Sequence, residues 1–135
     1  MIGILIIAHG NLGEELLRTA DLIVGAQDQV RAFQLPANES QEHLRDKLGA
    51  LLEEIKTPEG ILVFTDMLGG TPCNICLPFV NKYNIEIISG VNLYMVITAL
   101  MYREKLSLNE VSKKALETGQ KNIADVKKMF LSRLK

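Results

Sequence analysis

Ile2-Gly3-Ile4-Leu5-Ile6-Ile7-Ala8-His9-Gly10 decides the fold. Apart from Gly3, Ile2 to Ala8 is apolar at every position. A strand apolar on both faces belongs in the middle of a parallel sheet that helices cover on each side. The run ends on a histidine and a glycine, so a polar side chain surfaces where the buried strand stops. About sixty residues later the pattern returns. Gly60 to Thr65 is a second buried strand, and Asp66-Met67-Leu68-Gly69-Gly70-Thr71-Pro72 follows it.

The rest of the chain alternates around these two strands. Leu12, Leu16, Leu17, Ala20, Ile23 and Val24 form an apolar helical stripe that Gly25 stops. Val30–Leu35 is a weaker strand, with Arg31 and Gln34 placing it near the sheet edge. Leu44, Leu48, Leu51, Leu52 and Ile55 mark the clearest helix. Thr71-Pro72 reads as N-cap and first-turn proline of a third helix facing inward through Ile75, Cys76, Phe79, Val80 and Tyr83. Ile85–Ser89 is the fourth strand, and Asn92–Tyr102 an unusually apolar helix, read equally as core or as subunit interface. Ser107-Leu108-Asn109-Glu110 is a capping box that opens a last helix towards Gly119. Ile123, Val126, Phe130 and Leu134 continue at helical spacing, with a cationic end at Lys127, Lys128, Arg133 and Lys135.

The 135 residues, 47% hydrophobic and 23% charged, are the size and composition of one globular domain, 1–135. A net charge of −1 gives no electrostatic footprint for nucleic acid or anionic membrane. No apolar run is long enough to span a bilayer and no signal peptide is evident, so a cytoplasmic location is expected.

Strand–helix alternation predicts an α/β fold: a doubly wound, flavodoxin-like open sheet with parallel strand order 2-1-3-4 and helices on both faces. In that order strands 1 and 3 are neighbours from which the chain departs in opposite directions. Their carboxyl ends form the switch point where such sheets bind ligands. His9 and Asp66, 57 positions apart, are thereby expected side by side. Gly69, Gly70 and Thr71 lead into a helix N-terminus, a ready anion cradle. Imidazole, carboxylate and cradle together suit a phosphohistidine, with Asp66 fixing the ring tautomer.

At these same residues the chain resembles the enzyme IIA (EIIA) domain of the mannose/fructose/sorbose class of the sugar phosphotransferase system. The matching motifs are Ala8-His9-Gly10, Thr65-Asp66-Met67-Leu68-Gly69-Gly70-Thr71-Pro72-Cys73-Asn74, Ser89-Gly90-Val91-Asn92-Leu93 and Glu117-Thr118-Gly119. The resemblance covers essentially the whole chain. It implies that His9 accepts a phosphoryl group from the phosphocarrier protein HPr and passes it to an EIIB protein, while Asp66 orients it. It also implies a homodimer and an added antiparallel strand exchanged near the C-terminus, where this chain reads as helical. Ala8, Leu12, Leu68 and Tyr94 depart from common family choices, and none is His9 or Asp66.

Neither metal nor organic cofactor is expected, because positioning and electrostatics carry most of such a transfer. Two other readings remain open. A regulatory phospho-switch would use the same His9 without a sugar permease. Cys73-Asn74-Ile75-Cys76 is a C-x-x-C at a helix start, the setting of a redox pair; Cys76 falls on the apolar stripe, which favours a core role. His43, among Glu39, Glu42 and Arg45, reads as surface.

Overall fold

The first strand, β1 (Gly3–His9), is buried along its whole length until His9. The structure, a computed structural model, describes residues 1–134, so Lys135 of the cationic tail lies outside the described residues. Three further strands, β2 (Val30–Leu35), β3 (Ile61–Thr65) and β4 (Ile85–Ser89), complete a sheet in the order β2-β1-β3-β4. All pairings are parallel, with Ile7 opposite Thr65 and His9 opposite Leu35. The predicted order 2-1-3-4 is observed.

Strand side chains alternate between faces, and this alternation divides the apolar residues into two cores. Ile4, Ile6, Ala8, Leu62 and Phe64 pack with α1 (Leu12–Val24), α4 (Leu93–Tyr102) and α5 (Leu108–Lys121). Leu5, Ile7, Ile61 and Val63 pack with α2 (Gln41–Ile55) and α3 (Thr71–Cys76). Gly3 has a steric cause: a Cβ there would stand 2.6 Å from the Ile55 carbonyl oxygen, where α2 ends against the sheet. α4 buries Met95, Val96, Thr98, Ala99 and Leu100, so it is core, with Tyr94 and Met101 left exposed.

Two expectations about α3 need correction. Its N-cap is Gly70, not Thr71, because the Asn74 N–H donates to the Gly70 carbonyl and closes the first helical turn there. The helix also ends at Cys76 and tightens into a 3-10 turn over Leu77–Phe79. Pro78 has no N–H to continue the ladder, which leaves Val80 exposed instead of in the core.

Beyond α5 the described chain is helical again in α6 (Val126–Arg133), and the sheet contains no strand from this region among the described residues. Ile123, Val126, Phe130 and Leu134 of this tail all lie exposed.

Candidate functional site

β1 and β3 end side by side, and their next polar side chains meet. Asp66 Oδ2 accepts two hydrogen bonds from one residue: the His9 backbone N–H at 2.9 Å and ring Nδ1 at 2.8 Å. A carboxylate only accepts, so Nδ1 carries the proton, and in the neutral ring Nε2 then keeps its lone pair. The carboxylate is sunk, with its side chain 9% exposed, while the imidazole stands 58% exposed. The pair thus has a fixed inner nitrogen and an accessible outer one. Burial alone would raise the Asp66 pKa. The backbone and ring hydrogen bonds from His9, with the charge of the imidazole, outweigh it and hold Asp66 below its usual range.

The imidazole opens onto a cleft of about 620 Å³ between the carboxyl ends of β1 and β2. Gly10, Gln34, Pro36, Glu39, Gln41 and Thr71 line it beside His9. Among these, Thr71 was expected from the sequence. Gly69 and Gly70 lie in the turn that leads to it. Gly69 adopts φ +79°, a left-handed conformation that favours glycine, with no atom near enough to require the missing Cβ. Pro72 lacks an N–H, so the first turn of α3 presents the N–H groups of Thr71 and Cys73.

The β2–α2 contribution, Gln34 to Gln41, had not been singled out. The signal was present in the strand order: β2 lies next to β1, so the connection leaving β2 must flank His9. Glu39 is held there by Lys47 at 2.8 Å, with His43 Nδ1 at 3.4 Å, so His43 belongs to the rim of this loop and remains exposed.

Both cysteines are free thiols, and they differ in setting. Cys76 is buried, and burial pushes its thiol up to about 12, opposite to the depression that makes a thiolate. Cys73 is half-buried and takes part in hydrogen bonds instead. Among the described residues no group of three or more His, Cys, Asp or Glu side chains could hold a metal. No helix among them is long and apolar enough to cross a membrane.

The sequence and the fold have known counterparts. The family model described as PTS system fructose IIA component matches residues 3–116. The PTS system mannose-specific EIIAB component of Escherichia coli (strain K12) is 35% identical over 128 residues, covering 93% of this chain and 40% of that protein. The chain therefore spans less than half the length of that relative. The PTS system fructose-specific EIIA component of Bacillus subtilis (strain 168) is 28% identical over 112 residues, covering 82% of this chain and 77% of the relative. Among solved structures, the phosphotransferase system component EIIA from Streptococcus agalactiae superimposes with a TM-score of 0.83 at 32% identity. It covers 95% of this chain and 99% of that one. The mannose/sorbose specific IIA subunit from Enterococcus faecalis gives 0.82 at 26% identity, covering 92% and 93%. The matched segment runs from the first residue of β1 into α5 and so contains both strand ends that meet at His9. The chain belongs to the mannose/fructose-class EIIA family of the phosphotransferase system.

Proposed function

We propose that His9 is a phosphoryl carrier, charged by phospho-HPr and discharged to an EIIB protein. The observation that carries this reading is the double hydrogen bond from His9 to Asp66 Oδ2, which leaves Nε2 unencumbered and exposed. In the charging step the Nε2 lone pair attacks phosphorus, a P–N bond forms to His9, and the P–N bond to the donor imidazole breaks. Positive charge grows on the His9 ring as it does so, and Asp66 faces that charge through the Nδ1–H. The backbone N–H bond fixes the position of Asp66 independently of the ring, so the carboxylate is already aimed when transfer begins.

The phosphoryl oxygens would lie against the Gly69-Gly70-Thr71 turn, where the first-turn N–H groups of α3 and the Thr71 side chain supply donors. Leu12 follows His9, and Met67 and Leu68 follow Asp66; all three are exposed. Exposed apolar side chains that follow both site residues in the chain fit a protein donor better than a small molecule. A second copy of the chain is the proposed occupant of the exposed apolar tail at Val126, Phe130 and Leu134. Phe130→Glu should turn dimers into monomers by sedimentation, and an unaltered mass would remove the tail from the interface.

The charging assay uses phosphoenolpyruvate, enzyme I and HPr. Wild-type protein should take up one phosphoryl group, and His9→Ala none. Labelling of His9→Ala at the wild-type level would overturn the assignment. Discharge by an EIIB protein separates the carrier from a regulatory phospho-switch: a phosphohistidine that EIIB does not discharge would assign the switch role.

A further inference from the structure

The turn that follows Asp66 is poorly anchored by its own residues. Met67 and Leu68 point outward, with Leu68 87% exposed, and Gly69 and Gly70 contribute no side chain. Gly70 occupies the N-cap of α3 without a side chain to hold the helix start. Packing and capping, the usual ways to fix such a turn, are both missing where a phosphoryl group would be held.

Cys73 takes over this task. Its Sγ lies 3.4 Å from the Met67 carbonyl oxygen and 3.4 Å from Thr65 Oγ1. The carbonyl only accepts, so the single S–H donates to Met67, and the Thr65 hydroxyl then donates to sulfur. Thr65 is completely buried at the last position of β3, and its own carbonyl accepts from the Val91 N–H at 3.1 Å. The relay therefore runs from the rigid sheet, through the thiol, to the backbone of the turn. Among the described residues, Cys73 is the only side chain of α3 that hydrogen-bonds this turn.

We propose that Cys73 is a positioning residue of the phosphoryl site, tying the Met67–Gly70 turn to Thr65 of β3 through its thiol. It acts through the turn and touches neither His9 nor the phosphoryl donor. This rests on the reading of His9 as a phosphoryl carrier, and it assigns to the C-x-x-C a role that involves no redox chemistry.

Cys73 is half-buried, so its variants are expected to fold. A misplacement of about 1 Å in a positioned group costs on the order of 100-fold in rate; losing one weak tether should cost a fraction of that, roughly 5- to 10-fold. Cys73→Ala and Cys73→Val, the latter keeping the volume without a donor, should slow charging by phospho-HPr at saturation, with the KM for HPr unchanged. Cys73→Ser, which keeps a donor and an acceptor, should recover most of the rate. The 31P resonance of the phosphohistidine should shift in the alanine and valine variants and return towards wild type in the serine variant. Thr65→Val, leaving the S–H bond in place, should give the smaller effect of the two ends of the relay. Wild-type kcat and 31P shift in Cys73→Ala would overturn the proposal. So would equal loss in the serine, alanine and valine variants, which would make the role one of packing. Failure of the wild-type protein to be charged at all would instead overturn the carrier reading beneath it.

Discussion

The two ends of the sheet use a cationic or basic side chain in opposite ways. At the amino end, Arg103 is only 2% exposed. Its Nη1 donates to the Ile2 and Gln29 carbonyls, both at 3.4 Å, and Nη2 donates to Gln27 Oε1 at 3.0 Å. The Arg103 carbonyl in turn accepts from the Ile2 N–H. Burial pulls its pKa down, with Glu104 and Asp28 opposing the change. At the carboxyl end, Asp66 is sunk and His9 stands out in solvent. Arg103 turns both terminal nitrogens inward onto fixed acceptors, whereas His9 turns one nitrogen inward and leaves the other open. In the proposed reading, the difference between a staple and a reactive group is one unoccupied lone pair on an accessible atom.

This contrast predicts that mutations at the two ends separate stability from rate. Arg103→Ala should have the largest effect, a loss of about 3 kcal/mol in urea unfolding, through lost packing and loss of the guanidinium hydrogen bonds to Ile2, Gln29 and Gln27. Charging of the remaining folded protein should stay near wild type. A charging rate that fell with the stability would break the contrast. Asp66→Asn should do the reverse. The amide oxygen can still accept from His9, but the charge facing the developing imidazolium is gone, and charging should slow by about 100-fold, ~2.7 kcal/mol. An unchanged rate would take Asp66 out of the mechanism.

Smaller effects sharpen the same comparison. Gly3→Ala, back at the amino end, pushes a methyl towards the Ile55 carbonyl and should cost about 1–2 kcal/mol with no change in transfer. The smallest effect is the pH dependence of Asp66. Its folded-state pKa lies below the ordinary 3.8, so its stabilising contribution is fully present above that value. The contribution is lost as pH falls through the lower folded-state value. The part of the stability gap between wild type and Asp66→Asn that comes from Asp66 titration should be lost only below about pH 4. A gap that stayed constant as pH fell below about 4 would contradict the lowered value.

The carboxyl end was legible in the sequence because topology converts two strand ends into neighbours. Once Ile2–Ala8 and Gly60–Thr65 read as central strands, His9 and Asp66 had to meet, and they do so through a hydrogen bond of 2.8 Å. The amino end was not legible. An arginine after the apolar α4 reads as the first solvated residue, and nothing in its spacing reveals that carbonyls from Ile2 and Gln29 converge on it. The N-cap of α3 was displaced by one residue because Thr71 has the better capping side chain, while the backbone closes its first turn on Gly70. Pro78 should have marked the end of that helix, since a proline removes the hydrogen bond on which the next turn depends. The Cys73 relay was obscured by the C-x-x-C spacing, which draws attention to the pair of thiols and away from the carbonyl and hydroxyl that one of them joins.

The account turns on which nitrogen of His9 is free, and that can be measured on the charged protein. His9 labelled with 15N and phosphorylated through HPr should show one-bond 15N–31P coupling at Nε2, while Nδ1 stays protonated on Asp66. Coupling at Nδ1, or a phosphoryl group on any residue other than His9, would contradict it.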